Sequence, residues 1–308
     1  MTPILVIAGC TATGKSGVAM KLASELHGEI VNADSVQVVR GFDIGSAKPS
    51  LEDRHQVPHH VVDVIDPHEH MDAMGFAARA DRAIEVVHGR GHVPIVVGGT
   101  GLWIRALLRG LVGLPPVDAV LRKRITDEVA HDGAPAQHAR LREVDPIAAA
   151  AIHENDAVRI VRALEVFEQL GEPLGKLRLL HGKGAPRYKA LFAVLDSPRE
   201  VLYGRIVERA DGMIERGWVA EVRSLVERVG PEVRALRSVG YRQMLMHVRD
   251  GLPLEEARRQ IIKATKRYAH RQRTWFGTEP GVDWRAFPGE VLTTAALERI
   301  RAHFRGAA

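Results

Sequence analysis

The feature that most constrains this chain is a glycine-rich loop that follows a short apolar segment near its start. The sequence GCTATGKS at residues 9–16 fits the pattern GxxxxGK[ST], and residues 4–8 before it are apolar. A strand that feeds such a loop into a helix points several backbone N–H groups at one spot, where a lysine and a hydroxyl complete a phosphate cradle. We therefore expect a phosphorylated ligand held by Lys15, with Ser16 as a metal ligand.

Short apolar runs alternate with amphipathic helical patterns through the first hundred residues. This rhythm predicts an α/β fold with a mostly parallel sheet flanked by helices, and ligands at the carboxyl ends of its strands. The strands are expected at residues 4–8, 29–31, 61–65 and 94–97, and the helices at residues 16–26 and 75–89.

A helical block interrupts this rhythm after the segment Gly-Leu-Pro-Pro at 113–116. Helical patterns follow at residues 121–131, 137–144, 147–153 and 157–170. An apolar run at 191–195 resumes the α/β pattern, and further helices are expected at residues 199–229, 239–249 and 254–275. We therefore predict a P-loop core at residues 1–112 and 186–308 and a small all-helical insertion at 113–185.

The composition favours a folded protein without a membrane partner. Of the 308 residues, 45% are apolar, and the longest apolar runs are far shorter than the roughly 20 residues that span a bilayer. The start of the chain lacks a basic segment followed by a long apolar one, so we expect a soluble, unexported, cytoplasmic protein. The single cysteine, Cys10, excludes intrachain disulfides, and its place in the loop is explained by its small size.

The net charge of +5 is concentrated in one segment. Residues 258–273 read RRQIIKATKRYAHRQR, and the basic residues recur at three- and four-residue spacing, which predicts a helix with a cationic stripe. Such a stripe either contacts nucleic acid or forms a solvated surface.

Two polar residues follow predicted strands at the same edge of the sheet as the loop. The strand at 94–97 ends in Gly98-Gly99-Thr100-Gly101, without the carboxylate that NTPases usually place there. This favours a loop that holds a phosphate group as a leaving group, with the Thr100 hydroxyl donating to the leaving oxygen or serving only in a turn. Asp34 follows the second strand, where it accepts a proton from a nucleophile, binds a metal through water, or caps a helix.

Several uncommon strings along the chain carry a resemblance to a known family. They are GCTATGKS (9–16), NADSVQVVRGFDIGSAKP (32–49), VPHHVVDVIDP (57–67), VGGTGLWIRALLRGL (97–111), HENDAVRIVRALEV (153–166), RIVERADGMIERG (205–217), SVGYRQM (238–244) and KRYAHRQRTWF (266–276). Nearly end to end, the chain resembles the bacterial tRNA dimethylallyltransferases, also called tRNA isopentenyltransferases, of the IPP transferase family.

The resemblance implies transfer of a dimethylallyl group from dimethylallyl diphosphate to the exocyclic N6 of the adenosine immediately 3′ to the anticodon of tRNA. It implies that the loop holds the diphosphate with Mg²⁺, that the adenosine is flipped out of its stack, and that Asp34 is the general base while Thr100 assists the leaving oxygen. Diphosphate contacts are then expected from Gly9, Thr11, Ala12, Thr13, Gly14, Lys15, Ser16 and Arg209, of which Ser16 also binds the metal.

The same resemblance implies tRNA contacts on both parts of the chain, and we expect a monomer. The residues concerned are Asp34, Ser35, Val36, Gln37, Thr100, Arg122, Val158, Arg159, Ile160, Val161, Arg162, Arg237, Ser238, Val239, Gly240, Tyr241 and Arg242. The insertion corresponds to the family's domain that grips the anticodon stem-loop. Its Pro-Pro entry and its exit at Gly182 and Gly184 are compatible with hinge movement. Arg159 and Arg162 either face one RNA backbone or are merely exposed.

The chain departs from the family pattern at a few positions. Val39 stands where the family commonly has Tyr, which puts any substrate contact there in doubt. Ser46 for Thr and Trp103 for Tyr are near-equivalent replacements, and His270 stands where Lys is common. The adjacent residues His59 and His60 point to different sides of an extended segment, so a structural role is favoured over metal binding.

Two other functions remain open from the sequence. A small-molecule kinase would keep Lys15 and Ser16 but transfer a phosphoryl group from ATP. A non-catalytic RNA-binding ATPase would use the basic segment 258–273.

Overall fold

The structure, a computed structural model, describes residues 1–181 and 185–305. Its larger unit comprises Met1–Leu108 and Arg187–Ala308 and is built on one six-stranded sheet. The strands are β1 (Pro3–Gly9), β2 (Gly28–Ala33), β3 (His59–His60), β4 (Val93–Gly98), β5 (Lys189–Leu195) and β6 (Trp284–Ala286). All neighbouring strands are parallel, in the order β3-β2-β4-β1-β5-β6. The predicted α/β fold with a mostly parallel sheet is confirmed.

Helices connect and cover these strands. Those of the larger unit are α1 (Lys15–Leu26), α2 (Leu51–Gln56), α3 (Ala73–Gly89), α4 (Gly101–Arg109), α10 (Arg199–Glu215), α11 (Trp218–Val229), α12 (Tyr241–Asp250), α13 (Leu254–Thr278) and α14 (Thr294–Phe304). Leu5 and Ile7 of β1 share a hydrophobic cluster with residues of α1 and α14. Ile4 and Val6 point to the opposite face and are also fully buried, so both faces of the sheet are covered, as is usual for parallel sheets.

The order of the strands brings three loops together. β4 lies between β2 and β1, and the three strands are parallel, so their carboxyl ends meet at one edge of the sheet. The turn after β4 therefore lies between the glycine-rich loop after β1 and the turn after β2. These are the segments that contain Thr100, Lys15 and Asp34.

The second compact unit comprises Arg109–Pro186, and in the part of it that the structure describes all regular elements are helices. They are α5 (Ala119–Asp132), α6 (Ala134–Val144), α7 (Pro146–Ala151), α8 (Ala157–Leu170) and α9 (Leu174–His181). Ile125, Leu141, Ile160 and Leu164 lie in its hydrophobic core. The predicted hinge residues Gly182 and Gly184 lie outside the described residues.

One predicted strand is wrong. Residues 61–65 form no strand beyond a single bridge between Val39 and Ile65, and the edge strand is His59–His60 instead. Val61 and Asp63 have φ angles of 60° and 57°, a left-handed conformation that cannot continue an extended strand. The elements α2, α4, α9, β6 and α14 were not predicted.

Candidate active site

The glycine-rich loop forms an open anion cradle at the start of α1. Gly9 and Gly14 have φ angles of 149° and 88°, and a Cβ atom on Gly9 would lie 2.5 Å from the carbonyl oxygen of Leu195. The Thr13 hydroxyl donates to the Cys10 carbonyl at 2.8 Å and is fully buried, so it stabilises the loop from within. The first turn of α1 has neither an acidic residue nor a side-chain cap, which leaves its N–H groups free for an anion.

Two half-buried cations, Lys15 and Arg209, lie at this cradle. Lys15 Nζ donates to the Cys10 carbonyl at 3.2 Å, and burial together with nearby Arg209 lowers the pKa of Lys15 to about 8, against the opposite effect of Asp34. Arg209 of α10 donates to Thr11 Oγ1 at 3.3 Å, and burial lowers its pKa. Within the described residues neither cation forms an ion pair within 4 Å. Desolvated positive charge without a partner indicates a site for an anionic ligand.

The two carboxylate oxygens of Asp34 differ in their hydrogen bonds. Its Oδ1 accepts the N–H groups of Val36 at 2.9 Å and Gln37 at 3.3 Å, which fixes the turn after β2. Its second oxygen has no hydrogen-bond partner in the described chain. That oxygen is available to accept a proton from a ligand.

Thr100 ties the turn after β4 to the turn after β2. Its Oγ1 accepts the N–H of Ser35 at 3.2 Å, and its own N–H donates to the Ala33 carbonyl at 3.3 Å. The hydroxyl proton of Thr100 has no acceptor in the described chain and can be donated to a ligand. The structure thus brings Thr100 next to Asp34, although Thr100 lines a neighbouring cavity with Ser35 and Val36 rather than the two cavities that Asp34 lines.

Two cavities meet at Asp34. The first, of about 260 Å³, lies along the glycine-rich loop and includes Lys15, Ser16 and the apolar side chains of Met20, Ile30 and Val97. The second, of about 320 Å³, is lined by aromatic and apolar residues of α10 to α13 together with residues 237–241. The two cavities share Thr11, Asp34, Arg209 and Tyr268. Two ligands can therefore approach Asp34 from different sides.

The structure adds residues that the sequence did not single out. Gln272 of α13 links Thr11 of the loop to Gly99, and Tyr268 of the same helix lines both cavities. Glu221 of α11 accepts the N–H groups of Asp43, Ile44 and Gly45 and fixes a loop beside the cavities. Both α13 residues stand in the string KRYAHRQRTWF, but no local pattern marks them as site residues.

The predicted tRNA-contacting residues of the larger unit differ in accessibility. Ser35, Arg237 and Arg242 are exposed, and Arg237 pairs with Glu232. Tyr241 is 1% exposed and donates its hydroxyl to Glu221, so its side chain belongs to the core. The remaining predicted contacts of this unit, Val36, Gln37, Ser238, Val239 and Gly240, are half-buried or buried.

The predicted tRNA-contacting residues of the second unit also differ in accessibility. Ile160 is fully buried and Val161 is 8% exposed, so both side chains belong to the hydrophobic core. Arg122 and Arg162 both bind the buried carboxylate of Glu165. The exposed part of this segment is Val158 and Arg159.

Three of the four positions at which the chain departs from the family pattern have local contacts, and the fourth, His270, is exposed. Val39 is buried, and its carbonyl accepts from Lys48 Nζ at 2.8 Å. Ser46 donates to the carbonyl of Phe42 at 2.6 Å, and Trp103 stacks on Phe76 with a ring-centre distance of 4.7 Å.

The paired histidines have structural partners. His59 Nδ1 lies 2.7 Å from the Val57 carbonyl, and His60 Nε2 lies 2.6 Å from the buried carboxylate of Glu29. In the described chain no group of three or more His, Cys, Asp or Glu side chains is arranged to hold a metal ion. Nor does any helix there combine the length and the apolar character needed to cross a membrane.

A glycine-rich cradle at the edge of a parallel sheet, with two half-buried cations that form no ion pair in the described chain, defines a P-loop-type α/β protein. Comparison with known proteins narrows this class. A family model described as IPP transferase matches residues 37–279, and one described as isopentenyl transferase matches residues 2–59. The chain belongs to the IPP transferase family, which confirms the resemblance predicted from its motifs.

Curated relatives cover nearly the whole chain. The tRNA dimethylallyltransferase of Syntrophobacter fumaroxidans is 47% identical over 92% of this chain and 83% of its own length. That of Geobacter metallireducens is 45% identical over 95% of this chain and 96% of its own length.

Solved structures of related proteins also match nearly the whole chain. The full-length tRNA isopentenylpyrophosphate transferase of Bacillus halodurans is 33% identical with a TM-score of 0.72, covering 100% of this chain and 98% of that one. A eukaryotic dimethylallyltransferase acting on tRNA is 28% identical with a TM-score of 0.79, covering 97% of this chain and 77% of that one.

Proposed function

We propose that this chain transfers a dimethylallyl group from dimethylallyl diphosphate to the exocyclic N6 of the adenosine immediately 3′ to the anticodon of tRNA. Transfer of a dimethylallyl group to tRNA adenosine is the activity that its family membership supports, since the relatives are named tRNA dimethylallyltransferases. The donor, the position in tRNA and the roles of individual residues are our proposal.

The observation that carries the proposal is that Lys15 and Arg209, which form no ion pair in the described chain, line the two cavities that meet at Asp34. Lys15, Arg209 and the free N–H groups at the start of α1 suit a diphosphate in the first cavity. The apolar side chains of the same cavity suit a small hydrocarbon group. The second cavity then receives the acceptor base.

In the reaction, N6 of adenosine attacks C1 of the prenyl group, the bond from C1 to the diphosphate oxygen breaks, and N6 loses a proton. The free oxygen of Asp34 accepts that proton. Positive charge develops on the allylic carbon and negative charge on the leaving oxygen. Lys15 and Arg209 stabilise the departing diphosphate and Thr100 donates to it, which is the main contribution the protein can make.

The site suits Mg²⁺ only as a companion of the diphosphate. Ser16 is exposed in the first turn of α1, and its hydroxyl has no partner in the described chain, so it can serve as one ligand. Since Mg²⁺ is usually held by few protein ligands together with phosphate oxygens and water, this single hydroxyl is compatible with it. When bound, the ion would neutralise charge on the diphosphate.

For the tRNA, we propose that the target adenosine is flipped out of its stack into the second cavity. Its lining includes Ser35 and Arg237, which are exposed enough to contact the backbone, and Arg242 is exposed next to the lining residue Tyr241. In the helical insertion the exposed Val158 and Arg159 are the proposed contacts with the anticodon stem-loop, and Arg122 and Arg162 join them if they release Glu165. We leave the side chains of Ile160, Val161 and Tyr241 out of the interface because they are buried. We propose that the protein acts as a monomer in the cytoplasm.

The proposal is tested by nucleoside mass spectrometry of unmodified tRNA incubated with the protein, dimethylallyl diphosphate and Mg²⁺. We expect one C5H8 unit on adenosine, and none when the target adenosine is replaced by guanosine. A parallel incubation with labelled ATP and candidate acceptors tests for a kinase. Transfer of label without prenylation of tRNA would contradict the proposal.

A further inference from the structure

Gln272 of α13 is a buried polar residue that joins two of the three loops at the site. It is 7% exposed. Its Oε1 accepts the N–H of Thr11 at 2.9 Å, and its Nε2 donates to the carbonyl of Gly99 at 2.8 Å. Thr11 belongs to the glycine-rich loop, whereas Gly99 precedes Thr100 in the turn after β4. One side chain thus spans the leaving-group cradle and the turn that contains Thr100.

The chemistry of this contact requires an amide. One backbone N–H and one backbone carbonyl must be satisfied by the same side chain, and an amide offers an acceptor and a donor on adjacent atoms. A carboxylate lacks the donor, and an apolar side chain leaves both backbone groups without this partner. Leaving such buried groups unsatisfied destabilises the arrangement of the two loops.

The turn after β4 packs closely against two residues of α13, Gln272 and Trp275. A Cβ atom on Gly99 would lie 2.4 Å from Gln272 Nε2, and one on Gly101 would lie 2.2 Å from Trp275 Nε1, one turn further along α13. Arg105 of α4 stacks on Trp275 at 4.2 Å and pairs with Glu279 beyond the end of α13. The turn after β4 therefore packs directly against α13.

The three loops form a chain of hydrogen bonds. Gln272 connects the glycine-rich loop to the turn after β4, and Thr100 connects that turn to Ser35, which follows Asp34. We propose that Gln272 is a positioning residue that sets the distance between the diphosphate cradle and the Thr100 hydroxyl. It acts through Thr11 and Gly99, because both of its polar atoms are occupied by backbone groups. This inference rests on the proposed role of Thr100 in the transfer reaction.

A double-mutant cycle between Gln272→Met and Thr100→Val tests this proposal. Methionine keeps the length of the side chain but loses both hydrogen bonds, and valine keeps the shape of threonine without its hydroxyl. We expect Gln272→Met to lower kcat at saturating substrates by about ten- to a hundredfold, the cost typical of misplacing a reacting group. The KM for dimethylallyl diphosphate should change less than about threefold because Lys15 and Arg209 are untouched.

The coupling between the effects of the two substitutions on kcat shows whether Gln272 acts by positioning Thr100. If Gln272 acts by positioning Thr100, Gln272→Met should cost less than about threefold once the hydroxyl is absent in the Thr100→Val background. Gln260→Met is the matched control, since Gln260 also lies on α13 but bonds to Glu256 away from the site, and its kcat should be unchanged. If Gln272→Met does not fold, Gln272→Glu, which keeps only the acceptor for Thr11, gives the same test.

Failure of the inference and failure of the proposed function give different results. Full activity of Thr100→Val alone would refute the role of Thr100, and the positioning role of Gln272 with it. A slow Thr100→Val variant in which Gln272→Met still costs its full factor would overturn the positioning role alone. Wild-type kcat in Gln272→Met would do the same.

Discussion

At the scale of single residues, Asp34 shows how one side chain serves both fold and chemistry. One carboxylate oxygen fixes the turn after β2 through Val36 and Gln37, and the other is free. A substitution such as Asp34→Ala would therefore remove the general base and destabilise the turn at the same time, and its effect on the rate could not be assigned to either. Asparagine separates the two effects, because its Oδ1 can accept the same N–H groups while its amide cannot act as a base.

We expect Asp34→Asn to lower the prenylation rate about 10²- to 10⁴-fold, the usual contribution of a general base, while prenyl diphosphate and tRNA still bind. Single-turnover kinetics and tRNA binding by filter retention measure the two effects. Asp34→Ala should be equally slow and also less stable. A near-normal rate for Asp34→Asn would show that the carboxylate acts only in the turn.

Lys15 gives the site a dependence on pH. Burial and Arg209 lower its pKa to about 8 in the ligand-free protein, and a diphosphate favours the protonated amine. Affinity should therefore be complete below this value and weaken as the pH rises above it, by up to about tenfold per unit if only the charged form binds. The measurement is the KM for dimethylallyl diphosphate from about pH 7 to about pH 10. Lys15→Arg, which stays protonated, should remove this dependence. The same rise in KM with pH in the wild type and in Lys15→Arg would contradict the role of Lys15.

Residue motifs predicted part of the site and missed the rest for a physical reason. Lys15, Asp34 and Thr100 each follow a strand, so the edge where they meet can be deduced from strand rhythm and parallel topology. Gln272 lies 261 residues from Thr11, and its partners are backbone groups that any sequence possesses. Such a contact depends on the packing of α13 against the sheet, which no local pattern encodes.

At the scale of elements, a loop beside the cavities depends on one carboxylate of α11. Glu221 accepts the N–H groups of Asp43, Ile44 and Gly45 at 3.0, 2.6 and 3.3 Å, and the hydroxyl of Tyr241 at 2.7 Å. The same loop presents the Ser46 carbonyl to Arg209 at 3.4 Å. Glu221 thus stabilises the loop and, through it, one side of the anion cradle.

We expect Glu221→Ala to lower the free energy of unfolding by about 1–3 kcal/mol, because several donors lose their shared acceptor. Urea denaturation measures this loss, and hydrogen exchange at residues 43–45 should become faster. Tyr241→Phe removes only one of the four donors and should leave that exchange slow. Equal protection of these amides in Glu221→Ala and the wild type would rule out this role.

The elements that were wrongly predicted or missed also have identifiable causes. Residues 61–65 have the apolar content of a strand, but left-handed conformations at Val61 and Asp63 end the extended segment. Strand β6 has three residues and α2 has six, too few to produce a clear periodicity. The long helices α3, α8 and α13 carry strong patterns, and their existence was predicted correctly.

At the scale of the whole molecule, positive charge collects in one groove between α10 and α13. Its basic residues are Arg199, Lys263, Lys266, Arg267, His270, Arg271 and Arg273. Among them only Arg273 forms an ion pair within the described chain, with Asp196. Arg271 also lines the second cavity, so the groove continues to the proposed acceptor site.

If RNA lies along this groove, replacing Lys263 and Arg267 together by alanine should reduce the slope of log K against log salt concentration by about 1.5–2, close to one counterion per lost phosphate contact. The measurement is the binding of unmodified tRNA over a salt series. Arg79→Ala with Arg82→Ala on α3 is the control, since these exposed arginines form no ion pair in the described chain. An unaltered slope in the Lys263 and Arg267 variant would identify the groove as a solvated surface.

The two edge strands of the sheet affect the tendency of the protein to aggregate at high concentration. The outermost strands, β3 and β6, are two and three residues long, whereas the strands between them have six or seven. A short edge strand exposes few unpaired backbone N–H and C=O groups. A second copy of the chain can therefore add a strand to this sheet only over a short length. The long apolar strands that give the fold its stability are thereby kept away from the positions where amyloid-like stacking would begin.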